Sequence, residues 1–147
     1  MKFEFLLDEE SEDPSLVERA ASTSESSPVH EAMEVMESIL QAHPNIDAVF
    51  CGNDGMAMGA YQALVSSGKA DKVKVFGFDG AEDVITAVSE NKVVATGMQF
   101  PKVMAETAAQ FADEYIKGRR DFPQKIPVAV ELVTNKNISD YIAYGKK

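Results

Sequence analysis

Three polar side chains each follow an apolar run of the sequence, close to where a strand is predicted to end. The residues are Asn53, Asp79 and Gln99, and the runs are 46–51, 73–78 and 93–98. A carboxylate accepts hydrogen bonds, carboxamides both accept and donate them, and the neighbouring Phe100 offers an apolar ring. Together such groups suit the hydroxyls and the apolar face of a small sugar or polyol.

A simpler interpretation assigns these residues to helix capping. Asn53 or Asp54 is predicted to cap one helix and Asp79 the next, and capping is the commoner role for such residues taken singly. Gln99 has no comparable capping explanation. The prediction of a ligand site therefore depends on the three residues as a set.

Helical patterns alternate with the apolar runs, and this alternation predicts the fold that places Asn53, Asp79 and Gln99. The predicted helices contain residues 33–40, 56–64, 81–90 and 102–117, with stop signals at His43–Pro44, Gly68 and Gly118. Strands that alternate with helices pair in parallel through right-handed crossovers. The fold class expected is a three-layer, doubly wound α/β domain with a mostly parallel sheet. Ligands of such sheets bind beyond the carboxyl ends of the strands, where these three residues fall.

The two ends of the chain give a weaker pattern. Phe3, Leu6 and Leu7 fit one face of a helix, and we prefer this helix to the alternative, a strand over 2–7. The other predictions are a strand at 16–21, a loop at 22–27, a helix beginning at Ser27–Pro28 and a strand at 126–133.

Composition narrows the classes of function. The 147 residues are 45% hydrophobic, which predicts one globular domain over 1–147. A formal charge of −10 disfavours nucleic acid and anionic membranes as partners. No apolar run is long enough to span a bilayer, and the first residues lack the order of a signal peptide. Cys51 has no second cysteine with which to form an internal disulfide.

Catalytic, metal and cofactor chemistry are poorly supported. His30 and His43 lie at opposite ends of one predicted helix, too far apart to chelate a metal together. Cys51 sits in a predicted strand with no evident base beside it. Residues 52–55 contain glycine but form neither a dinucleotide fingerprint nor a phosphate loop. We expect no catalytic residues, no metal and no cofactor, and therefore a protein that is not an enzyme.

Three motifs in order resemble a known family. Over about 32–133 the chain looks like the second, C-terminal lobe of ribose-type periplasmic sugar-binding proteins, the solute receptors of ABC importers. The motifs are DAVFCGNDGMAMGA at 47–60, VFGFDG at 75–80 and ATGMQFP at 95–101. The resemblance implies that Asn53, Asp79 and Gln99 hydrogen-bond sugar hydroxyls. It also implies an ABC permease as partner and a periplasmic or extracellular location.

The chain departs from the family pattern in ways that matter for binding. The resemblance implies two lobes that clamp the sugar, and the first lobe is missing from this sequence. The resemblance also implies that the second lobe opens with a strand, followed by a helix that carries a sugar-binding Arg. This chain is expected to start late in that helix, so the strand and the Arg are missing. The position expected for a stacking aromatic falls near Ser27, which cannot stack. Half of the clamp is therefore expected to be absent.

Two other functional classes stay open, together with an expectation about assembly. The effector-binding half of a LacI-type repressor has a similar fold, although no helix-turn-helix is present; a doubly wound enzyme or receiver domain fits less well. A homodimer is expected because the helix at 102–117 would pack on the missing lobe. The gap left by the opening strand could be filled by 126–133, from the same chain or from a partner. The apolar side chains that need covering are Val103, Ala108, Phe111, Tyr115 and Ile116.

Overall fold

The computed structural model describes residues 3–5, 28–142 and 145–146 of the chain. The predicted strand at 16–21 and the predicted loop at 22–27 lie outside these described residues. All statements about side chains below concern residues 29–141.

A five-stranded sheet forms the centre of the fold, with its strands in the order β1-β2-β3-β4-β5. The first four strands are parallel, and β5 pairs with β4 in the antiparallel direction. The strands are β1 (Phe3–Phe5), β2 (Ala48–Phe50), β3 (Lys74–Asp79), β4 (Ala95–Met98) and β5 (Glu131–Thr134). The predicted mostly parallel α/β fold is confirmed.

The amino-terminal strand corrects two predictions. Phe3–Phe5 is a strand rather than the preferred helix, and Phe3 pairs with Ala48 of β2. Pairing with β2 gives the backbone N–H and C=O groups of this segment hydrogen-bond partners. The helical spacing of a few apolar residues is a weaker determinant of structure than this pairing. The edge of β2 is thus covered by β1. The strand predicted at 126–133 does not fill that gap, because β5 lies on the other side of the sheet, beside β4.

Four helices alternate with the strands, close to their predicted positions. They are α1 (Pro28–Ala42), α2 (Asp54–Ser66), α3 (Glu82–Ser89) and α4 (Pro101–Ile116). Gly68 and Gly118 follow α2 and α4 with positive φ angles of 67° and 105°, as expected of residues that end a helix. None of the described helices is long and apolar enough to cross a membrane.

The main core lies between the sheet and helices α1 to α3. Met36 of α1, Leu64 of α2 and Val88 of α3 have no exposed surface and belong to one apolar cluster with Val49 and Val75 of the sheet. Burying such a side chain contributes about 1.5–3 kcal/mol. This packing fixes the helices, and with them the loops at the carboxyl ends of the strands.

A smaller cluster closes the far end of the sheet. Met98, Val133 and Tyr141 are buried together, and Ile138 of a short 3₁₀ helix (Ile138–Asp140) packs against them. Two short strands follow, β6 (Tyr141–Ile142) and β7 (Gly145–Lys146), which pair in the antiparallel direction. The cluster lies beside the end of β4, directly before Gln99.

Helix α4 differs from the other three because it has no buried residue. Ile116, Tyr115 and Val103 have exposed fractions of 83%, 55% and 46%. The apolar side chains predicted to need covering do lie on α4, and the described part of the chain leaves most of the surface of this helix exposed.

Candidate functional site

The carboxyl ends of β2, β3 and β4 meet at one edge of the sheet, which we call the carboxyl edge. Asp79 pairs with Met98, so β3 and β4 end side by side, while Phe50 at the end of β2 pairs with Phe76, three residues before the end of β3. Asp79 is the last residue of β3, and the loops after β2 and β4 carry Asn53 and Gln99; all three residues are half-buried. The register of the parallel strands thus places the three predicted residues at this edge.

Asp79 and Gln99 are in direct contact. The Gln99 Nε2 amide donates a hydrogen bond of 2.5 Å to Asp79 Oδ1, and the Gln99 backbone N–H donates one of 3.1 Å to the Asp79 carbonyl. Among the described residues no other donor reaches the Asp79 carboxylate, so Oδ2 remains able to accept a hydrogen bond from a ligand. A hydrogen bond to an ionised acceptor is roughly twice as strong as one between neutral groups.

Asn53 is the N-cap of α2. Its Oδ1 accepts a 2.8 Å hydrogen bond from the Met56 backbone N–H, which confirms the capping interpretation for this residue. Capping uses only the amide oxygen. The Nδ2 group has no hydrogen-bond partner within the described part of the chain, so Asn53 can cap the helix and still donate to a ligand.

Asp79 does not cap a helix, so the capping interpretation is wrong for this residue. The N-cap of α3 is Ala81, whose side chain makes no capping hydrogen bond, and Asp79 accepts none from the start of that helix. Instead, Asp79 has a φ of 127° and Gly80 has one of 81°. A positive φ is strained for a residue other than glycine, and strain of this kind persists only where the surrounding structure holds it.

Asp54, considered in the sequence analysis only as a capping candidate, turns inward behind the carboxyl edge. Its side chain is buried, with 1% of its surface exposed, and it accepts hydrogen bonds from Gly80, Ala81 and Thr96. Burial raises the pKa of this carboxyl, and the charge of Asp79 adds to the rise, while the three hydrogen bonds oppose it. In the sequence, Asp54 was indistinguishable from an ordinary residue of a helix start.

Phe100 contributes to the core beside the carboxyl edge. Its ring is partly buried and packs against the cluster of Met98, Val133 and Tyr141. Part of the ring predicted to cover an apolar ligand face is thus committed to the fold. The contact anchors the chain between Gln99 and α4.

Other chemistry-bearing groups have ordinary surroundings. Burial, with a smaller contribution from the Asp54 charge, raises the pKa of the Cys51 thiol to about 12, so the thiol is protonated at neutral pH. His30 lies 3.4 Å from the exposed Glu34 on the surface of α1. In the described ranges, no three His, Cys, Asp or Glu side chains are grouped so that they could hold a metal ion.

Comparison with known proteins shows which family this chain resembles. The family model described as a periplasmic binding protein domain matches residues 7–120. The D-apiose import binding protein of Paraburkholderia graminis is 43% identical over 108 residues, which cover 73% of this chain and 34% of that protein. The ribose import binding protein of Salmonella typhimurium is 44% identical over 101 residues, covering 69% of this chain and 33% of that protein.

Solved structures agree with the sequence comparisons. A periplasmic solute binding protein of Actinobacillus succinogenes with bound D-allose superimposes with a TM-score of 0.72 and 34% identity, covering 77% of this chain and 40% of that one. A solute binding protein of Bacillus halodurans with bound myo-inositol gives a TM-score of 0.69 at 36% identity, covering 77% and 39%. The chain spans about a third of the length of the curated relatives it matches. On its fold, its motifs and these matches, the chain belongs to the family of periplasmic binding protein domains.

Proposed function

We propose that the chain forms one sugar-contacting lobe of the solute receptor of an ABC importer, and that its ligand is a small sugar or polyol. The contact between Asp79 and Gln99 at the carboxyl edge carries this proposal. Support comes from the relatives, which are named as import binding proteins for D-apiose and ribose, and from neighbours solved with D-allose and myo-inositol.

Each of the three residues has a distinct role in this proposal. Asp79 Oδ2 accepts from a ligand hydroxyl, and the Asn53 amide Nδ2 donates to one. Gln99 uses one Nε2 hydrogen on Asp79, which leaves its second hydrogen and its Oε1 for the ligand. A sugar hydroxyl both donates and accepts, so alternating donors and acceptors at one edge match a ring that carries several hydroxyls.

The proposal extends to location and partners. A receptor of this kind works in the periplasm or outside the cell and delivers its sugar to an ABC permease. The carboxyl edge contacts one side of a ligand, and high affinity for sugars depends on burial between two surfaces. We therefore expect the chain by itself to bind free sugars weakly.

A homodimer is a further part of the proposal, supported by the exposed α4. Its apolar side chains, among them Val103 and Ile116, are left uncovered by the described residues. Because α4 begins at Pro101, directly after Gln99 and Phe100, a second copy on α4 would lie next to the carboxyl edge.

Saturation-transfer NMR on the purified chain tests the ligand class, because this method detects weak binding. The panel contains D-ribose, D-allose and myo-inositol, with L-glutamate as a polar solute that is not a sugar. We expect transfer to at least one sugar or polyol and none to L-glutamate. Equal transfer to all four compounds, or transfer to L-glutamate alone, would contradict the proposal.

A matched pair of variants distinguishes the edge from the remaining surface. Asp79→Ala should abolish the transfer. Asp71→Ala removes an exposed carboxylate before β3 starts, at the opposite end of that strand, and should leave the transfer unchanged.

A further inference from the structure

A buried carboxylate joins three separate elements behind the carboxyl edge. Asp54 is the first residue of α2, and 1% of its surface is exposed. Its Oδ2 accepts from the backbone N–H groups of Gly80 and Ala81, at 2.8 Å and 2.7 Å. Its Oδ1 accepts from the Thr96 hydroxyl of β4, at 2.7 Å. The carboxylate therefore links α2 to the turn after β3 and to the neighbouring strand.

These three partners lie close to the residues that we assign to the ligand. Gly80 and Ala81 directly follow Asp79, and Thr96 precedes Gln99 by three positions on the same strand end. Fixing the turn and β4 to one side chain fixes the distance between Asp79 and Gln99. No hydrogen bond joins Asp54 to either of these two residues, so any influence on them is indirect.

The turn needs such an anchor because its backbone is strained. Asp79 has a φ of 127°, and such a conformation costs of the order of 1–3 kcal/mol for a residue other than glycine. The two N–H groups that follow it donate to one oxygen of Asp54. Without this acceptor, Asp79 can relax to an extended conformation, which would redirect its carboxylate.

Strand β3 has a glycine where the Asp54 carboxylate approaches it. A Cβ atom placed on Gly77 would lie 2.2 Å from Asp54 Oδ1 and 3.3 Å from the Ala57 Cβ. One placed on Gly80 would lie 2.3 Å from the Met98 sulfur. Glycine at these two positions lets β3 and its turn approach both the carboxylate and β4.

We propose that Asp54 is a positioning residue for the ligand site, which holds the turn after Asp79 against β4 and so keeps Asp79 and Gln99 in hydrogen-bonding geometry. The consequence of this positioning for sugar binding rests on the proposed function. The effect of Asp54 on the geometry of the edge does not rest on it and can be measured without any sugar.

Chemical shifts and couplings of the ¹⁵N-labelled chain test this role directly. The three-bond coupling between the amide and α protons of Asp79 reports its φ, and the side-chain amide resonances of Gln99 report the bond to Asp79. The variants are Asp54→Ala, Asp54→Asn and Thr96→Val. Leu64→Ala, which truncates a core residue with no exposed surface in the later part of α2, is the control for lost stability.

We expect Asp54→Ala to raise the Asp79 coupling toward the extended value and to move the Gln99 side-chain resonances toward those of a solvated amide. Asp54→Asn should retain most of the wild-type pattern, since its oxygen can accept from both N–H groups and its nitrogen can donate to Thr96. Leu64→Ala should lower the unfolding midpoint and leave both signals in place.

Wild-type Asp79 and Gln99 signals in a folded Asp54→Ala variant would overturn the proposal. So would equal changes in Leu64→Ala, since they would show a general effect of lost stability. If Asp54→Ala does not fold, Thr96→Val decides. It cuts the link to β4 alone, so displaced Gln99 resonances support positioning and unchanged ones refute it.

Discussion

Asp79 and Asn53 lie at the same edge and differ in what they give to the fold. Asn53 stabilises α2 through its bond to Met56, whereas Asp79 bonds only to Gln99 among the described side chains. Asp79 also occupies a strained backbone position. A residue that is strained and caps no helix is better explained by ligand contact than by stability.

This difference predicts different effects of two alanine variants on sugar binding and on stability. Asp79→Ala should remove sugar binding and change the stability of the fold little, because no helix depends on its side chain. Asn53→Ala should weaken binding less and should cost about 1 kcal/mol of unfolding free energy through the lost cap. NMR titration with D-allose and urea unfolding measure the two effects. Loss of stability without loss of binding in Asp79→Ala would assign that residue a structural role.

The buried Asp54 predicts a pH dependence of stability. Because its pKa in the folded chain is above the ordinary 3.8, the folded state binds this proton more tightly than the unfolded chain. Stability relative to Asp54→Asn should therefore fall as pH rises from 3.8 through the raised value. Urea unfolding of both proteins across this range measures the difference, and a constant difference or one of opposite slope would contradict the assignment.

The position of Asp79 and Gln99 at one edge could be predicted from the sequence because the carboxyl ends of parallel strands meet there; their hydrogen bond is a finding of the structure. The role of Asp54 could not be predicted in this way. Two neighbouring residues, Asn53 and Asp54, were equal candidates for one cap, and only the packing of α2 on β3 decides which of them turns inward. That choice depends on contacts 26 to 42 positions away along the chain.

Strand β3 and helix α2 approach closely where Gly77 faces Asp54. The carboxylate occupies the space that a side chain at 77 would need. A glycine here serves close packing between the two elements, and no positive φ is involved. The sheet and the helix therefore constrain each other at this point.

Gly77→Ala should consequently cost about 2–3 kcal/mol of unfolding free energy, since the added methyl group overlaps Asp54 Oδ1 and the core cannot relax freely. Gly52→Ala is the control, because the nearest atom to its added Cβ is the Met56 sulfur at 4.0 Å. Urea denaturation gives both values. Equal stability of the two variants would mean that Asp54 moves aside without cost.

The regular elements were predictable wherever a local pattern and a stop signal coincided. Helices α1, α2 and α4 ended as their His-Pro or Gly signals indicated. Strand β1 was only the alternative to the preferred helix, since Phe3–Phe5 is too short for periodicity to decide and its pairing with β2 is a long-range contact. Strand β5 was predicted at 126–133 and is shorter, beginning at Glu131, where its pairing with Met98 starts.

In the whole molecule, α4 stands out among the described helices because none of its residues is buried, although its Phe111 and Tyr115 rings contact Phe122 in the segment that follows. The exposed apolar side chains of α4, among them Val103 and Ile116, support the proposal that a second surface covers this helix. A second copy of the chain is the occupant that the proposed homodimer supplies.

Light scattering coupled to size exclusion should show a mass near twice the 16.0 kDa chain. Val103→Glu combined with Ile116→Glu should return it to the monomer mass, because both side chains are exposed on α4. Val65→Glu, at an apolar position 54% exposed on α2, is the control and should leave the dimer intact. A mass of 16.0 kDa at all concentrations would contradict the dimer.

Contact between the carboxyl edge and a sugar is tested most directly by ¹⁵N-detected titrations of the chain with D-ribose, D-allose and myo-inositol in turn. We expect a Kd above about 1 mM, equivalent to a binding free energy weaker than about −4 kcal/mol, because only one side of the ligand is held. Saturable shifts should appear at the Gln99 side-chain amide, the Asn53 side-chain amide and the Gly80 backbone amide. Shifts confined to other regions of the chain, or an absence of saturable shifts with all three compounds well above about 1 mM, would contradict a sugar site at this edge.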